Sequence, residues 1–422
     1  MAPRFLRRPP GLTVRGTTFL VVGAVLVVVG LLGALAPAAM FGVLVGALPL
    51  VASLLTRGES TAVQLKRDLS VAEVATGGVL DVNLTVTGRL SRGRSLLLED
   101  AAPAALQGAH RVALRGLGGR SVSAAHYRVI PQGRGEHRLG PLRLHSVDPF
   151  GLVHRVNTIR LFDTVLVHPR AVAVDPLVLG GASLSTGSGH RGSPGGASDD
   201  VVPRTYRPGD EIRRVDWKAT ARTGDLMVRS EESLRRSAVT LVLDLCTDHH
   251  FGTEPRSSLD AMLEVAASVG VMALTEGWEL EVRTTDDVVV FAGSPGSGIE
   301  PERRELLRSL ATVPVSDAPV PQLTLRHSLQ STGPLLLLLG AGGAASAHLL
   351  SGVGAHSTRR MVLAVAADQW ASVDHRGPAG AVAALSSDEL IGHFRTSGWR
   401  VARLERDSST AAAWSELGVS TW

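Results

Sequence analysis

Asp244, Cys246, Thr247 and Asp248 close an apolar run, AVTLVLDLCTD, that reads as a buried strand. Ligands of open α/β sheets gather at the carboxyl ends of strands. Two carboxylates and a hydroxyl within five residues are donors of the kind a hard divalent cation takes. A thiol is a poor ligand for Mg2+, so Asp244 and Asp248 are the candidate ligands of a degenerate metal site. The opposing reading is a strand end used for packing or partner contact. His249 and His250 follow at once. Adjacent histidines seldom converge on one metal without further ligands, and both are expected to be exposed turn residues. Cys246 has no basic neighbour in sequence to lower its pKa, so it reads as a small buried residue and not a nucleophile. No G-x-S-x-G, H-E-x-x-H or C-x-x-C occurs, which removes the named hydrolase, protease and zinc signatures. No residue is assigned a catalytic role.

Residues 204–232, RTYRPGDEIRRVDWKATARTGDLMVRSEE, precede that strand and are dense in charge of both signs. Asp210 is placed to cap a short helix on which Ile212, Val215 and Ala219 share a face and which Gly224 ends. Glu211, Arg214 and Lys218 then lie on the opposite face. Tyr206 and Trp217 are large and amphipathic, so both are expected to pack while their polar atoms find partners. Trp217 should be largely buried, with Arg213 or Arg222 within reach of a carboxylate. Asp210, Asp216 and Glu231 are the acids expected to pair with neighbouring arginines. The alternative is a surface hairpin laced with ion pairs, each contributing little.

The elements around these residues fall into distinct regions. The first is apolar: residues 17–35 and 38–55, separated by Pro37, are each long enough to cross a bilayer. A turn this short predicts a transmembrane helical hairpin over residues 1–58. Arg4, Arg7, Arg8 and Arg15 precede it, and Arg57, Lys66 and Arg67 follow it, which puts both outer ends in the cytoplasm by the positive-inside rule. Ala34-Leu35-Ala36 could mimic a signal-peptide cleavage site, but the apolar region is too long and a second span follows. A formal charge of +4 on 422 residues, with 19% charged side chains, gives no basic surface of the kind nucleic acid requires. Cys246 is the only cysteine, so no intrachain disulfide forms.

Residues 59–178 alternate with a period of two. Leu80, Val82, Leu84 and Val86 are interleaved with Asp81, Asn83, Thr85 and Thr87, which predicts a β-sandwich-like domain of short strands. Asp148-Pro149-Phe150-Gly151 reads as a turn that closes the sandwich, with its Phe folded back onto the sheet. Residues 179–203 form a Gly/Ser-rich linker; with no Gly-Lys-Ser/Thr ending they are not a phosphate loop. Beyond Ser237, strands are expected at residues 238–246, 280–283, 288–291, 335–340, 361–366 and 399–404. Helices fit residues 302–310 and the apolar series from Leu259 to Ala273, the latter with Ser257 and Asp260 as a capping box. Alternating strands and helices predict a doubly wound, mostly parallel sheet.

Arg204, Tyr206, Pro208, Gly209, Asp210, Arg213, Asp216, Trp217, Lys218, Ala221, Arg222 and the pair Glu231-Glu232 resemble the signature of the bacterial domain of unknown function 58. Residues 127–152, YRVIPQGRGEHRLGPLRLHSVDPFGL, carry a second element similar to that family. The resemblance implies a membrane-anchored protein whose residues 204–422 hold the signature and a von Willebrand factor A-like α/β domain. It also implies neighbouring genes for a MoxR-type AAA+ ATPase and a transglutaminase-like protein. An intact ion-dependent adhesion site in such a domain has Asp-x-Ser-x-Ser where this chain has Asp244-Leu245-Cys246-Thr247-Asp248. The resulting expectation is a non-enzymatic scaffold in the cytoplasmic membrane. It carries no cofactor, with Mg2+ the one candidate, and binds a MoxR-type ATPase or its client through the signature residues, in cell-envelope assembly. The rival is a divalent-metal-dependent enzyme or adhesion-type module using Asp244.

Overall fold

In a computed structural model of the protein, the described residues are 5–7, 11–57, 63–90, 95–114, 119–179, 203–206, 215, 217–229, 238–253, 257–294, 298–317, 333–342, 344–370 and 386–419. They divide into two units. The first is Met1–Arg170 with Thr253–Asp260 and Leu307–Val313; the second is Ala171–Gly252 with Ala261–Leu306 and Pro314–Trp422.

The first unit opens with helices α1 (Val14–Leu32) and α2 (Ala36–Arg57), with mean hydropathies of 2.1 and 1.9 over their apolar windows, which gives two helices long and apolar enough to span a membrane. Helix α1 starts earlier than the apolar run because Thr13 caps it, its Oγ accepting the Gly16 amide at 3.1 Å. The helices lie close where side chains are smallest. A Cβ on Gly23 would sit 2.6 Å from the Gly46 nitrogen, and one on Gly30 would sit 2.5 Å from that of Ala39. Small residues at a helix–helix seam allow this approach where no hydrophobic effect drives association.

Among the described residues, this unit's strands are β1 (Phe5–Arg7), β2 (Gly11–Leu12), β3 (Val63–Leu69), β4 (Glu73–Ala75), β5 (Leu80–Leu90), β6 (Ser95–Asp100), β7 (His110–Leu114), β8 (Gly119–Val129), β9 (Gly135–Leu139), β10 (Leu142–Val147), β11 (Val153–Ile159) and β12 (Asp163–His168). They form sheets β1-β11-β10-β6-β7 (with β2 on β11), β3-β5-β8 and β4-β12-β9. All three sheets supply one apolar core. Leu80, Val82, Leu84 and Val86 of β5 meet Leu98 of β6, Leu144 of β10 and Val165 of β12 there, as the alternation predicts.

One correction falls in this unit. Phe150 does not fold back onto the sheet; it is 76% exposed. The Asp148 carboxylate accepts the amides of Phe150 at 3.1 Å and Val153 at 2.6 Å. This closes the turn through the backbone, and Leu152 enters the interior instead, at 4% exposure.

The second unit carries a ribbon of β13 (Pro203–Thr205) and β14 (Met227–Arg229) with helix α3 (Trp217–Thr223) between them. Its main sheet comprises β15 (Ala238–Leu243), β16 (Glu279–Thr284), β17 (Val289–Gly293), β18 (Leu335–Leu339), β19 (Arg360–Val365) and β20 (Arg400–Leu404), in the order β17-β16-β15-β18-β19-β20. Every neighbouring pair is parallel except β16 and β17. Helices α4 (Ser258–Thr275), α5 (Ile299–Thr312), α6 (Ala344–Ser351), α7 (Ser387–Thr396) and α8 (Thr410–Val419) accompany it.

Both faces of this sheet are buried. Leu335, Leu337 and Leu339 join Leu350 of α6 and Phe394 of α7 in one cluster, while the alternate residues Leu336 and Leu338 are equally inaccessible. That is why these strands are continuous apolar runs. Helix α4 is apolar enough to span a bilayer, but 67% of its window is buried in the fold. Ser257 and Asp260 form its expected capping box. Residues 171–178, which the sequence reading assigns to the β-sandwich-like domain, pack with this unit: Trp414 donates to the Asp175 carbonyl at 2.8 Å and Arg359 to that of Val178 at 2.6 Å. Nearly all of the Gly/Ser-rich linker lies outside the described residues.

Candidate functional site

Strand β15 ends at Leu243, and the chain leaves the sheet through Asp244, Leu245 and Cys246 into a single 3-10 turn, residues 247–249. Asp244 is only 4% exposed, so its carboxylate needs compensation. The compensation is internal. His249 Nδ1 lies 2.7 Å from one carboxylate oxygen, which also receives the Gly340 amide at 3.4 Å. The other oxygen accepts the Cys246 amide at 3.3 Å. His250 turns back as well, its Nε2 lying 2.7 Å from the Asp244 carbonyl oxygen. Neither histidine is the exposed turn residue that adjacency suggested; both are half-buried. The reason is that the turn reverses the chain over the strand end, and the Ala341 amide fixes it by donating to the His249 carbonyl at 2.8 Å.

Burial opposes a proton on His249, but the hydrogen bond and negative charge of Asp244, with Asp248 behind it, outweigh burial and raise its pKa above the ordinary imidazole value. The His249 ring and the Asp244 carboxyl thus face each other at hydrogen-bonding distance at the strand end. Cys246 is buried, and burial pushes its thiol pKa up, in keeping with an unreactive thiol. A small enclosed pocket beside the pair is lined by Asp244, His249, Thr285, Gly340, Gly342 and Ser346, among others.

These contacts are what a divalent cation would meet at this strand end. Asp244 meets three protein nitrogens, at 2.7, 3.3 and 3.4 Å, position 246 offers sulfur, and Asp248 is exposed while Asp244 is buried. Among the described residues no cluster of three or more His, Cys, Asp or Glu side chains is arranged to hold a metal. The sequence reading named Asp244 and missed His249 as its partner. Its one linear signal was a histidine five residues past a strand-end acid.

The signature segment is only partly described. Pro208, Gly209, Asp210, Arg213, Asp216 and the pair Glu231-Glu232 lie outside the described residues, as do the proposed cap and ion pairs that involve them. Arg204 pairs through its backbone with Val228 in the ribbon. The Tyr206 amide donates to the Leu226 carbonyl at 2.7 Å, and Tyr206 is half-buried. The helix ends at Gly224 as expected, with Gly224 at φ 80° and its amide donating to the Thr220 carbonyl.

Trp217 corrects the sequence reading: it is 66% exposed rather than buried. Trp217 is the first described residue of the helix, and Val215, two residues earlier, takes the buried position at 7% exposure. Lys218, Ala221 and Arg222 share the exposed helix with it.

A second polar cluster, unforeseen from the sequence, sits inside the β unit. Arg67 donates to Asp100 through Nη2 at 2.5 Å and Nε at 3.0 Å, and to Asp163 through Nη1 at 2.6 Å. The Tyr127 hydroxyl donates to Asp100 at 2.6 Å. Burial, reinforced by the Asp100 charge, raises the Tyr127 pKa well above the ordinary phenol value. The cluster ties together one strand or more from each of the three sheets.

The geometry thus defines a class: an apolar helical hairpin, a β unit, and a mostly parallel α/β sheet whose strand-end acid is held by protein groups. Within it, residues 202–324 match the family model described as Protein of unknown function DUF58, and this stretch of the chain belongs to that family. The uncharacterized protein Rv1480 of Mycobacterium tuberculosis is 30% identical over 127 residues, covering 30% of this chain and 40% of its own. The uncharacterized protein YeaD of Bacillus subtilis is 26% identical over 226 residues, covering 50% of this chain and 56% of its own. The chain spans about half the length of these relatives or less. Among solved structures, the CARDB domain of a Pyrococcus furiosus protein matches at 12% identity and a TM-score of 0.18, over 25% of this chain and 93% of that one. A likeness so slight carries no assignment.

Proposed function

We propose that the chain is a non-enzymatic, membrane-anchored interaction protein whose soluble parts lie in the cytoplasm and whose α/β unit is of the von Willebrand factor A-like type. The observation that carries this reading is the internal pairing of Asp244. A buried strand-end carboxylate already matched by His249 and two backbone amides has no need of an ion. The sheet order, with its single antiparallel edge strand, supports the fold reading. The apolar hairpin supports the anchor, and the Arg and Lys excess outside both spans supports the cytoplasmic orientation. The exposed face of α3 with Trp217 and Arg222 is the docking surface, since aromatic and Arg side chains dominate interface energetics. Its partner is a MoxR-type AAA+ ATPase or a client of that ATPase in cell-envelope assembly; no cofactor or nucleic acid takes part.

The test is retention of a purified MoxR-type ATPase from the same genome by the full chain in detergent micelles. The wild-type chain should retain it. Trp217→Ala combined with Arg222→Glu should abolish retention while changing thermal stability little, because substitutions at exposed positions usually stay within about 0.5 kcal/mol. Equal retention by wild type and variant would overturn the docking surface, and no retention by the wild type would overturn the partner.

A further inference from the structure

Residues 148–152, DPFGL, turn the chain from β10 into β11, and four of the five have an internal reason to be there. Asp148 is buried and accepts two amides of the turn, Pro149 occupies its corner, and Gly151 takes a left-handed φ of 72°. Leu152 packs in a cluster with Val153, Leu12 and Ala52 of α2. Phe150 is the large apolar side chain left outside, 76% exposed at the tip.

The location of that tip identifies what it meets. The Thr13 hydroxyl donates to the Gly151 carbonyl at 2.5 Å, and the Thr13 amide donates to that of Leu152 at 2.9 Å. Thr13 is also the cap of α1. Strand β2, immediately before it, pairs with β11, and a Cβ at Gly16 would overlap the Leu152 carbonyl. The turn is thus bonded to the first turn of the apolar hairpin, beside exposed Val14 and Arg15. The turn that carries Phe150 is therefore bonded to the amino-terminal end of α1, the end at which α1, read as a span, enters the bilayer. An apolar ring beside a cationic side chain suits the boundary between headgroups and acyl chains.

We propose that Phe150 seats the β unit on the lipid surface, its ring inserted at that boundary with Arg15 among the headgroup phosphates. This rests on the membrane reading of the hairpin. It makes the β unit a domain held at the bilayer by two contacts, covalent through α1 and α2 and adsorbed through Phe150, instead of a freely tethered spacer.

The full chain in nanodiscs of phosphatidylethanolamine and phosphatidylglycerol provides the test. In a Cys246→Ala background, single nitroxide labels are placed at Phe150→Cys, Gln107→Cys and Val25→Cys. Collision with molecular oxygen, which concentrates in lipid, is compared with collision with a water-soluble nickel chelate. Gln107 is the internal control. It follows Asp100, which pairs with Leu142 at the opposite end of β10 from Val147, and six residues of strand span roughly 20 Å. The expected result is a severalfold oxygen-to-nickel excess at 150 relative to 107, intermediate between 107 and the lipid-facing 25. A label at 150 as water-accessible as at 107, with 25 in lipid, would overturn the seating of Phe150 and leave that ring for a protein contact. A label at 25 that is itself aqueous would overturn the membrane reading together with it.

Discussion

The two units each bury an acid against a base, but with different bases. In the β unit Asp100 meets the guanidinium of Arg67, whose side chain is fully buried. In the α/β unit Asp244 meets the imidazole of His249, whose side chain is 12% exposed. Arg keeps its charge at every pH a protein experiences, and its planar fork reaches two carboxylates at once. His can lose its charge near neutrality. The first pair is therefore a permanent fastening between sheets, whereas the second holds a strand end in an arrangement that depends on protonation. Building cost points the same way: a buried pair with all its hydrogen bonds met is tolerated, while a half-removed pair leaves an uncompensated charge.

The largest effect should come from breaking the permanent pair. Asp100→Ala leaves buried Arg67 with Asp163 and the Leu139 carbonyl, and Tyr127 without its Asp100 acceptor, and should destabilise the β unit by about 3–5 kcal/mol. Chemical denaturation with hydrogen exchange read out over residues 63–170 of the full chain measures it. A loss below 1 kcal/mol would show that the cluster is not the fastening described.

A smaller loss is expected at the strand end. Asp244→Ala removes the acceptor of two amides and of His249, at a cost of about 1–3 kcal/mol, less than for a bare charge because His249 can give up its proton. Thermal melts with and without Mg2+ sharpen the comparison. A ligand that binds only the folded state raises its apparent stability by mass action, so an Asp244 held by protein groups predicts no Mg2+-dependent rise in the wild type. A rise that vanishes in Asp244→Ala would restore the metal-site reading.

The smallest effect separates the pairs by pH. The His249 pKa is raised in the folded protein. Its stabilising contribution is therefore fully present below the unfolded value of about 6.5 and is lost as pH rises through the higher folded value. The α/β unit should lose stability over that window. His249→Gln should flatten the dependence, and exchange in the region around Arg67 should not follow it. Identical pH profiles for wild type and His249→Gln would remove His249 as the titrating group.

Much of the architecture was legible in local pattern. The apolar hairpin, the alternation of β5, the capping box of α4 and the continuous strands of the parallel sheet follow from periodicity, which needs only near neighbours in sequence. Helix α7 was missed although Ser386 and Glu389 form its capping box. Helices α6 and α8 are short, and their apolar residues lie on no single narrow stripe, so periodicity gave no sign of them. Trp217 was misjudged because size and amphipathicity argue for burial in general but do not say which turn of a helix a residue occupies.

The buried cluster shows where the division falls. Arg67 is in phase with Leu65 and Leu69, Asp100 with Leu96 and Leu98, Tyr127 with Ala125 and Val129, and Asp163 with Val165 and Val167. The period of two therefore already turned all four polar side chains toward the core, because strand geometry alone sends alternate residues to one face. Partners were a different matter. Arg67 lies 33 residues from Asp100 and 96 from Asp163, and Asp244 lies 96 from Gly340. Such separations are closed by sheet pairing and chain reversal, which depend on the packing of the whole unit. Local period thus sets Arg67, Asp100 and Tyr127 on the core face of their strands, while the packing of a whole unit brings Arg67 between Asp100 and Asp163 and sets His249 on Asp244.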